Sequence, residues 1–350
     1  MSSGAFSRLT IDTNALKSNY RFLQDKVGAN CSVAGVVKAD GYGLGVDVVV
    51  PALEEAGCTF FYVAQWEEAL VVRSLTQHPI AVLGGLVEGL EKRYAHLGIV
   101  PVLNTPSEVA RCPADLPAIW HIDTGMNRLG LDPEDVAGLL GKHTAPMMVM
   151  THFTSSEDVD ASPSQQQVSD FDAVAPVGIL QSICNSSGIF KSDLWHRNQV
   201  RAGVSLYGAN PTPETANPMS DVVKLETRIL QIRSVKAGET AGYNRTYTFP
   251  KDTRLATVGL GYADGFLRSG SNSSALYWNG QACPVVGRVS MDLIIVDIGG
   301  VTGIQPQEGH WMEVIGPNQS VDQLATSWKT IGYEVLTSLG GRSERVIQAS

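Results

Sequence analysis

One lysine stands at the end of a pattern that is typical of a buried strand. In VVKADGYGLG, residues 36–45, Lys38 follows an apolar run and precedes a glycine-rich turn. An ammonium group is costly to bury unless it is paired or used chemically, and a lysine held as a Schiff base carries no free ammonium. The segment therefore indicates a nucleophilic lysine. A lysine that caps the strand and reaches water is the structural alternative.

A second pattern is suited to binding phosphate. The stretch CNSSG, residues 184–188, follows one apolar run, and QVRAGVSLYG, residues 199–208, contains the next. Ser186 offers a hydroxyl, and glycine would let the amides near Gly203 and Val204 approach a phosphate closely. Loops after the seventh and eighth strands of a parallel barrel often bind phosphate. With Lys38, these loops predict a cradle for a phosphorylated cofactor, although NSSG alone also fits an ordinary turn.

Eight short apolar runs predict the strands that would carry these loops. They lie near residues 32–37, 60–64, 80–84, 99–103, 118–122, 147–151, 179–184 and 200–206. The segments between them have helical spacing, as in VDVVVPALEEAG and QWEEALVVRSL. Regular alternation of strand and helix predicts an α/β fold, a (β/α)8 barrel of the TIM type, over residues 1–218.

The pattern changes after about residue 215. Short β-rich runs follow, such as KLETRILQIRSV and MDLIIVDIGG, and helical spacing returns only near residues 321–338. The stretch NPTPETANPMS, residues 210–220, has the composition of a linker. We therefore predict a second, mostly-β C-terminal domain over residues 219–350.

Composition excludes several classes of protein. A formal net charge of −9 argues against binding to nucleic acid or to an anionic membrane surface. No apolar stretch approaches the ~18 residues of a membrane span, and the first residues do not have the pattern of a signal peptide. The five cysteines form no C-x-x-C pair, which argues against a disulfide framework or a metal site. We expect a cytoplasmic protein.

Nine motifs follow one another along the chain: VVKADGYG, HIDTGMNRLG, THF, NSSGI, VRAGVSLYG, GYNRTYT, VGLGYADGF, GRVSMD and GYEVLTSLGGR. They occur in the order found in alanine racemases, and the chain resembles that family over roughly residues 8–347. The resemblance implies an enzyme that interconverts L-alanine and D-alanine with pyridoxal 5'-phosphate. It also implies a homodimer in which each active site borrows residues from the β-domain of the partner.

The resemblance assigns a role to each cofactor-binding residue. Lys38 is similar to the lysine that binds the cofactor covalently. The residues that resemble the phosphate-binding group are Tyr42, Ser186, Gly203 and Val204. Those that resemble the neighbours of the cofactor ring are Arg128 at the phenolic oxygen, His152 on the ring and Arg201 at the pyridine nitrogen.

Racemisation requires that a proton leaves one face of Cα and returns to the other. By the resemblance, Lys38 and Tyr243 are the two bases on opposite faces. Both side chains ordinarily have a pKa of about 10, so a cationic neighbourhood would have to lower it. Arg201 would keep the pyridine nitrogen unprotonated, because a guanidinium donates hydrogen bonds and does not accept a proton. The residues that resemble the substrate site are Arg128, Tyr262, Met291 and Asp292.

Each of these side chains also has a structural interpretation. His152 is compatible with a core histidine, Arg128 and Arg201 with ion-pair partners, Tyr243 and Tyr262 with sheet-surface aromatics, and Met291 with core filling. The alternative functions are a racemase of broader specificity, a pyridoxal-phosphate decarboxylase and a non-catalytic barrel protein that only binds the cofactor. Proteins of the last kind lack a β-domain, so the β-rich stretch that contains Tyr243 favours the enzyme.

Five positions depart from the residues usual in the family: His121, Gly341, Leu44 in place of a histidine, and Asn244 and Arg245 in place of small residues. His121 replaces a lysine that orients the ring arginine in many members, and Gly341 replaces a tyrosine that contacts the phosphate. Arg245, close to Tyr243, would be able to alter the substrate range.

Overall fold

The computed structural model describes residues 4–349 of the chain. They form two compact units. One runs from Leu16 to Ser220, and the other joins the N-terminal stretch through Ala15 to the stretch from Asp221 onward. The predicted domain boundaries, 1–218 and 219–350, treat the N-terminal stretch as part of the barrel, whereas contacts group it with the β-rich unit.

The strands of the described residues are β1 (Ser7–Asp12), β2 (Ser32–Val36), β3 (Phe61–Val63), β4 (Ile80–Val82), β5 (Ile99–Leu103), β6 (Ile119–His121), β7 (Met148–Met150), β8 (Leu180–Ser182), β9 (Gln199–Ala202), β10 (Val223–Val235), β11 (Thr240–Ala241), β12 (Tyr247–Thr248), β13 (Thr253–Val258), β14 (Ala275–Trp278), β15 (Gln281–Pro284), β16 (Ile294–Asp297), β17 (Trp311–Ile315) and β18 (Glu344–Gln348). The helices are α1 (Thr13–Val27), α2 (Lys38–Tyr42), α3 (Val46–Glu55), α4 (Trp66–Arg73), α5 (Glu91–Leu97), α6 (Pro106–Arg111), α7 (Val136–Leu140), α8 (Ser162–Val174), α9 (Gly188–Lys191), α10 (Val321–Trp328) and α11 (Gly332–Ser338).

The first unit contains the predicted barrel. Strands β2 to β9 form one parallel sheet in the order β8-β7-β6-β5-β4-β3-β2-β9. The two ends of this sheet meet, since the amide of Arg201 donates to the carbonyl of Cys184 at 3.0 Å and that of Asn198 to Gln181 at 3.1 Å. Every one of the eight predicted strands overlaps an observed one. The fold class predicted from the apolar runs is therefore confirmed.

The sequences of these strands are continuously apolar because both faces of each strand are covered by other parts of the barrel unit. Every residue of β3 to β7 and of β9 is buried, as expected for a parallel sheet with helices outside and a filled interior. The last prediction, residues 200–206, extends too far. β9 ends at Ala202, and a 3-10 turn follows over Val204–Tyr207, because Gly203 leaves the extended conformation with φ −117° and ψ −101°.

The second unit is built on one mixed sheet of eight strands. Its order is β15-β14-β17-β10-β1-β18, and β13 pairs with both β10 and β16. The 13-residue strand β10 alternates buried and more exposed residues over most of its length, which is the pattern of a sheet with one covered face. Helices α10 and α11 confirm the helical spacing near residues 321–338.

Strand β1 was not among the predicted strands. It runs antiparallel to β10 and parallel to β18. Its sequence, SRLTID, alternates buried and half-buried residues, and this period of two was the signal that would have identified it.

No helix within residues 4–349 has the length and apolar character that crossing a bilayer requires. The five cysteines are all free thiols. No cluster of three or more histidine, cysteine or acidic side chains suited to a metal ion occurs in the described part of the chain.

Candidate active site

Lys38 lies at the carboxyl end of the barrel strands, in a turn of unusual conformation. It follows β2 and opens α2, in which Ala39, Asp40 and Tyr42 have φ values of 53°, 55° and 55°. A left-handed conformation costs a residue with a side chain roughly 1–2 kcal/mol. Such strain persists only where the surroundings fix the backbone, and it is concentrated at functional sites.

Two carboxylates hold this turn in place. Glu68 accepts a hydrogen bond from the amide of Ala39 at 2.7 Å, and Asp40 accepts one from the amide of Val46 at 2.9 Å. Glu68 also accepts from the amides of Ala64 and Gln65 and so caps α4. Sequence reasoning missed Glu68, although a glutamate three residues after a helix cap is a recognisable capping signal.

The surroundings of Lys38 favour the neutral form of its amine. Burial lowers its pKa, the positive charge of Arg128 lowers it further, and Glu68 acts in the opposite direction. A neutral amine is the form that attacks a carbonyl or accepts a proton. The lowering therefore supports the nucleophilic interpretation over a lysine that only reaches water.

Tyr42 and Gly203 meet where the sequence predicts a phosphate cradle. Tyr42 is buried, and its ring stacks on that of Tyr207 with centroids 4.5 Å apart. A Cβ atom added at Gly203 would lie 2.4 Å from the Tyr42 hydroxyl. Position 203 therefore has no room for a side chain, which is the reason for glycine there.

Ser186 is the centre of a group of hydrogen-bond donors. Its Oγ accepts from the amide of Gly203 at 2.9 Å and from that of Ser205 at 3.3 Å, and it lies 2.9 Å from the Ser205 hydroxyl. Val204 lies between these two residues, and all of them are buried. Hydroxyls and converging amides are the donors that a phosphate requires. Ser205 was missed, although it directly follows the predicted Val204.

Arg201 is fully enclosed in the barrel and bonded to backbone. Its Nη1 donates to the carbonyl oxygen and the hydroxyl of Ser182 at 2.8 and 2.7 Å. Its Nη2 donates to the carbonyls of Thr151 at 2.6 Å and Ile183 at 3.2 Å. No carboxylate of the described residues pairs with it, so the ion-pair alternative does not describe its surroundings.

His152 follows β7 and lies beside Arg201. Its Nδ1 is 3.4 Å from Nη2 of that arginine. Burial and the charges of Arg201 and Arg128 hold its pKa well below the ordinary value. The imidazole is therefore neutral, and because it is half-buried rather than enclosed, one side remains available for contact with a ligand.

Arg128 lies in the loop that follows β6. The side chain is exposed and forms no hydrogen bond or ion pair with any residue from 4 to 349. Its charge nevertheless lowers the pKa of Lys38 and of His152. Arg128 therefore shares the electrostatic environment of the site and has no structural ion-pair partner.

The remaining predicted residues belong to the β-rich unit. Tyr243 opens a 3-10 turn over Tyr243–Arg245 and is 69% exposed. The amide of Tyr262 donates to the carbonyl of Ser290 at 3.1 Å, and that of Ala263 donates to Met291 at 3.0 Å. The loops that carry Tyr262, Met291 and Asp292 are thus joined through their backbones.

Arg342 fixes the loop of Asp292 and was not predicted. It contacts Asp292 at 2.8 Å and the buried Asp264 at 3.2 Å. Asp264 in turn accepts a hydrogen bond from the amide of Gly261 at 2.9 Å. One guanidinium therefore holds both loops of this cluster; Arg342 ends the motif GYEVLTSLGGR, but no role was predicted for it from the sequence.

Family models match nearly the whole chain. The model described as "Alanine racemase, N-terminal domain" matches residues 11–211, and "Alanine racemase, C-terminal domain" matches residues 222–347. This chain belongs to the alanine racemase family. The match to the C-terminal domain argues against a barrel protein without a β-domain.

Relatives and solved structures agree with this family. The chain is 42% identical to "Alanine racemase" of Rhodospirillum rubrum, over 97% of this chain and 96% of that protein. It is 40% identical to "Alanine racemase, catabolic" of Agrobacterium fabrum, over 98% and 92%. The crystal structure of alanine racemase from Bartonella henselae with covalently bound pyridoxal phosphate has a TM-score of 0.94 and 37% identity, covering 98% of this chain and all of that one.

Proposed function

We propose that this protein interconverts L-alanine and D-alanine with pyridoxal 5'-phosphate as its cofactor. The observation that carries the proposal is the position of Lys38, whose amine has a lowered pKa at the carboxyl end of the strands that also hold the Ser186 cradle. Relatives that are named alanine racemase and share about two-fifths of the sequence support the same activity.

The residues present fit this cofactor. Lys38 would bind it covalently, and Tyr42, Ser186, Gly203 and Val204 would hold the phosphate. The fit rests on the closed space at Gly203 and on the amides that converge on Ser186. The residues that would face the ring are His152, Arg128 and Arg201.

Two side chains would carry the proton. When bound, pyridoxal phosphate acidifies the Cα proton of an amino acid by delocalising the negative charge that remains. The Nζ of Lys38 would exchange a proton on one face of Cα, and the hydroxyl of Tyr243 would do so on the other. Arg201 is fixed by carbonyl oxygens and keeps its own proton, so it acts only as a hydrogen-bond donor.

The protein would act as a homodimer: Tyr243 belongs to the β-rich unit and Lys38 to the barrel, and the resemblance to alanine racemases places these two residues on different subunits. In this proposal the β-rich unit of one subunit supplies Tyr243, Tyr262, Met291 and Asp292 to the site of its partner. These loops carry large side chains with exposed apolar surface: Tyr243, Tyr262, Met291 and Leu293. Exposed apolar side chains of this size support an interface with a partner. The cytoplasmic location expected from the sequence remains a prediction.

The test combines a spectrum with a chiral assay. The purified protein should absorb at the wavelength of a lysine-bound pyridoxal cofactor, and it should convert L-alanine to D-alanine and D-alanine to L-alanine. Lys38→Ala protein serves as the control and should do neither. Absence of racemisation by the loaded wild-type protein would refute the proposal. Faster racemisation of other amino acids would favour the racemase of broader specificity.

A further inference from the structure

One buried nitrogen atom near the candidate site has no partner. His121, the last residue of β6, is only 6% exposed. Its Nδ1 lies 2.9 Å from Oδ1 of Asn104, whereas its Nε2 is buried and makes no hydrogen bond to any described residue. Buried polar atoms are nearly always hydrogen bonded. An unpaired one at the carboxyl end of the barrel strands calls for an explanation.

Asn104 determines which nitrogen of His121 carries the hydrogen. The amide nitrogen of Asn104 donates to the carbonyls of Val102 at 2.9 Å and Leu83 at 3.1 Å. Both of its N–H groups are thus used, and its oxygen must face His121. An oxygen can only accept there, so Nδ1 of His121 is the donor and carries the hydrogen.

The ring is neutral, which leaves Nε2 as an acceptor. Burial lowers the pKa of His121 to about 4, and the charges of Arg201 and Arg128 act in the same direction against the opposing effect of Asp123. A neutral imidazole with its hydrogen on Nδ1 has a bare lone pair at Nε2. That lone pair attracts a donor and repels an anion.

Arg128 is the donor that the chain offers. The loop that carries it begins after His121, and its far end at Leu131 is bonded back to the same place. The amide of Leu131 donates to the carbonyl of His121 at 2.7 Å, and the amide of Asp123 donates to the carbonyl of Leu131 at 3.0 Å. Arg128 forms no hydrogen bond or ion pair among residues 4–349, whereas Nη1 and Nη2 of Arg201 are occupied by carbonyl oxygens. Among the described residues, Arg128 is therefore a cation of this loop whose donors are not engaged.

We propose that His121 is a positioning residue that accepts a hydrogen bond from the Arg128 guanidinium at Nε2. Asn104 would fix the ring so that the lone pair points to the loop, and the loop would hold the guanidinium at the carboxyl end of the strands. The proposed contact rests on the buried, unpaired Nε2 of His121 and on the backbone hydrogen bonds that tie the Arg128 loop to that residue. Its consequence for catalysis rests on the proposed function, in which Arg128 faces cofactor and substrate.

Histidine nitrogen NMR tests the contact without any activity measurement. The cofactor-free protein is labelled with 15N-histidine, and the His121 signals are assigned from their loss in His121→Gln. We expect hydrogen on Nδ1 and none on Nε2 at neutral pH. The 15N chemical shift of Nε2 should change in Arg128→Ala. It should be unchanged in Lys142→Ala, a control at an exposed cation of the same unit.

A pair of variants tests the consequence for the reaction. Glutamine and methionine have similar length and shape, but only glutamine retains an acceptor oxygen and a donor for Asn104. Relative to His121→Gln, His121→Met should lower kcat/KM for alanine by roughly 10- to 100-fold, the effect of a lost hydrogen bond to a charged group. Both variants are compared at equal folded fraction by circular dichroism.

The outcomes separate the two proposals. A hydrogen on Nε2, or an Nε2 chemical shift that is the same in Arg128→Ala as in the wild-type protein, would overturn the contact and point to a bound water or anion instead. Equal losses in the glutamine and methionine variants would overturn the positioning role. Absence of racemisation by the wild-type protein would refute the proposed function alone, because the NMR result does not depend on any activity.

Discussion

Alanine at position 203 should disrupt the phosphate cradle. The new Cβ would lie 2.4 Å from the Tyr42 hydroxyl and 3.3 Å from its Cζ, where ordinary contacts begin near 3.4 Å. The Tyr42 ring cannot move freely, because it is buried and stacks on Tyr207 at 4.5 Å. Tyr207 is itself held by a hydrogen bond to the carbonyl of Val36 at 2.9 Å.

The size of the effect follows from this overlap. Forcing one extra methyl group into a packed interior typically costs about 1–3 kcal/mol. We expect Gly203→Ala to lower the free energy of unfolding by that amount, or to weaken binding of pyridoxal phosphate by roughly 5- to 150-fold where the strain is expressed in the cradle. Removing the Tyr42 hydroxyl makes space. The double variant Gly203→Ala with Tyr42→Phe should therefore recover at least ~1 kcal/mol relative to the sum of the single changes.

Two measurements check this prediction: denaturant unfolding of the cofactor-free protein and fluorescence titration with pyridoxal phosphate. Gly138→Ala is the matched control, because Gly138 lies in α7 with nothing within 4 Å of an added Cβ, and alanine there should be neutral or slightly stabilising. Wild-type stability and affinity in Gly203→Ala, or strictly additive effects of the two changes, would refute the argument that glycine is required by Tyr42.

Three further changes have defined outcomes. Lys38→Met should raise the free energy of unfolding of the cofactor-free protein at neutral pH. Burial lowers the pKa of Lys38 in the folded state below its ordinary value of about 10.5. At any pH below that value, folding therefore carries a cost for the charged amine, and methionine removes this cost. This gain should vanish above that pH in unfolding curves, and a constant gain would contradict the cause. Mixing inactive Lys38→Ala and Tyr243→Phe proteins should restore part of the racemase activity, since a mixed dimer contains one intact site; no recovery despite subunit exchange shown by mass spectrometry would exclude shared sites. Arg201→Glu should destabilise the protein by about 3–5 kcal/mol in the same unfolding assay, because a carboxylate would face the carbonyls of Thr151 and Ser182, and a variant of wild-type stability would contradict that environment.

The barrel could be predicted from the sequence because its strands are short, apolar and regularly spaced. Each of the eight runs overlaps a strand, and the errors lie at the ends, as at residues 200–206. Strand β1 was not predicted, although it alternates buried and half-buried residues, because a strand of six residues is stabilised by its partners β10 and β18. Its pairing with β10 joins residues more than 200 positions apart, and no local pattern specifies such a partner.

The site was predictable only in part for the same reason. Lys38 and Ser186 lie in segments whose local composition indicates chemistry. The stacking of Tyr42 on Tyr207 and the bond between Asn104 and His121 depend on which strands become neighbours, which the barrel order determines. Arg342 ends the motif GYEVLTSLGGR, but its contacts with Asp264 and Asp292 join residues far apart in the sequence, and no local pattern specifies them. The roles assigned to these residues remain predictions that the variants above test.

The barrel concentrates at one end features that are unfavourable without a ligand. Lys38, Arg128 and Arg201 bring positive charge together, and none of the three forms an ion pair with a described residue. Burial lowers the pKa of Lys38, His121 and His152, and the charge of Arg128 lowers all three further, which means that each added positive charge is disfavoured there. An anion would reverse this: it would offset the repulsion and raise those pKa values. A phosphorylated ligand and an amino-acid carboxylate are both anions, so the electrostatics of the site favour the two groups that the proposed reaction brings together.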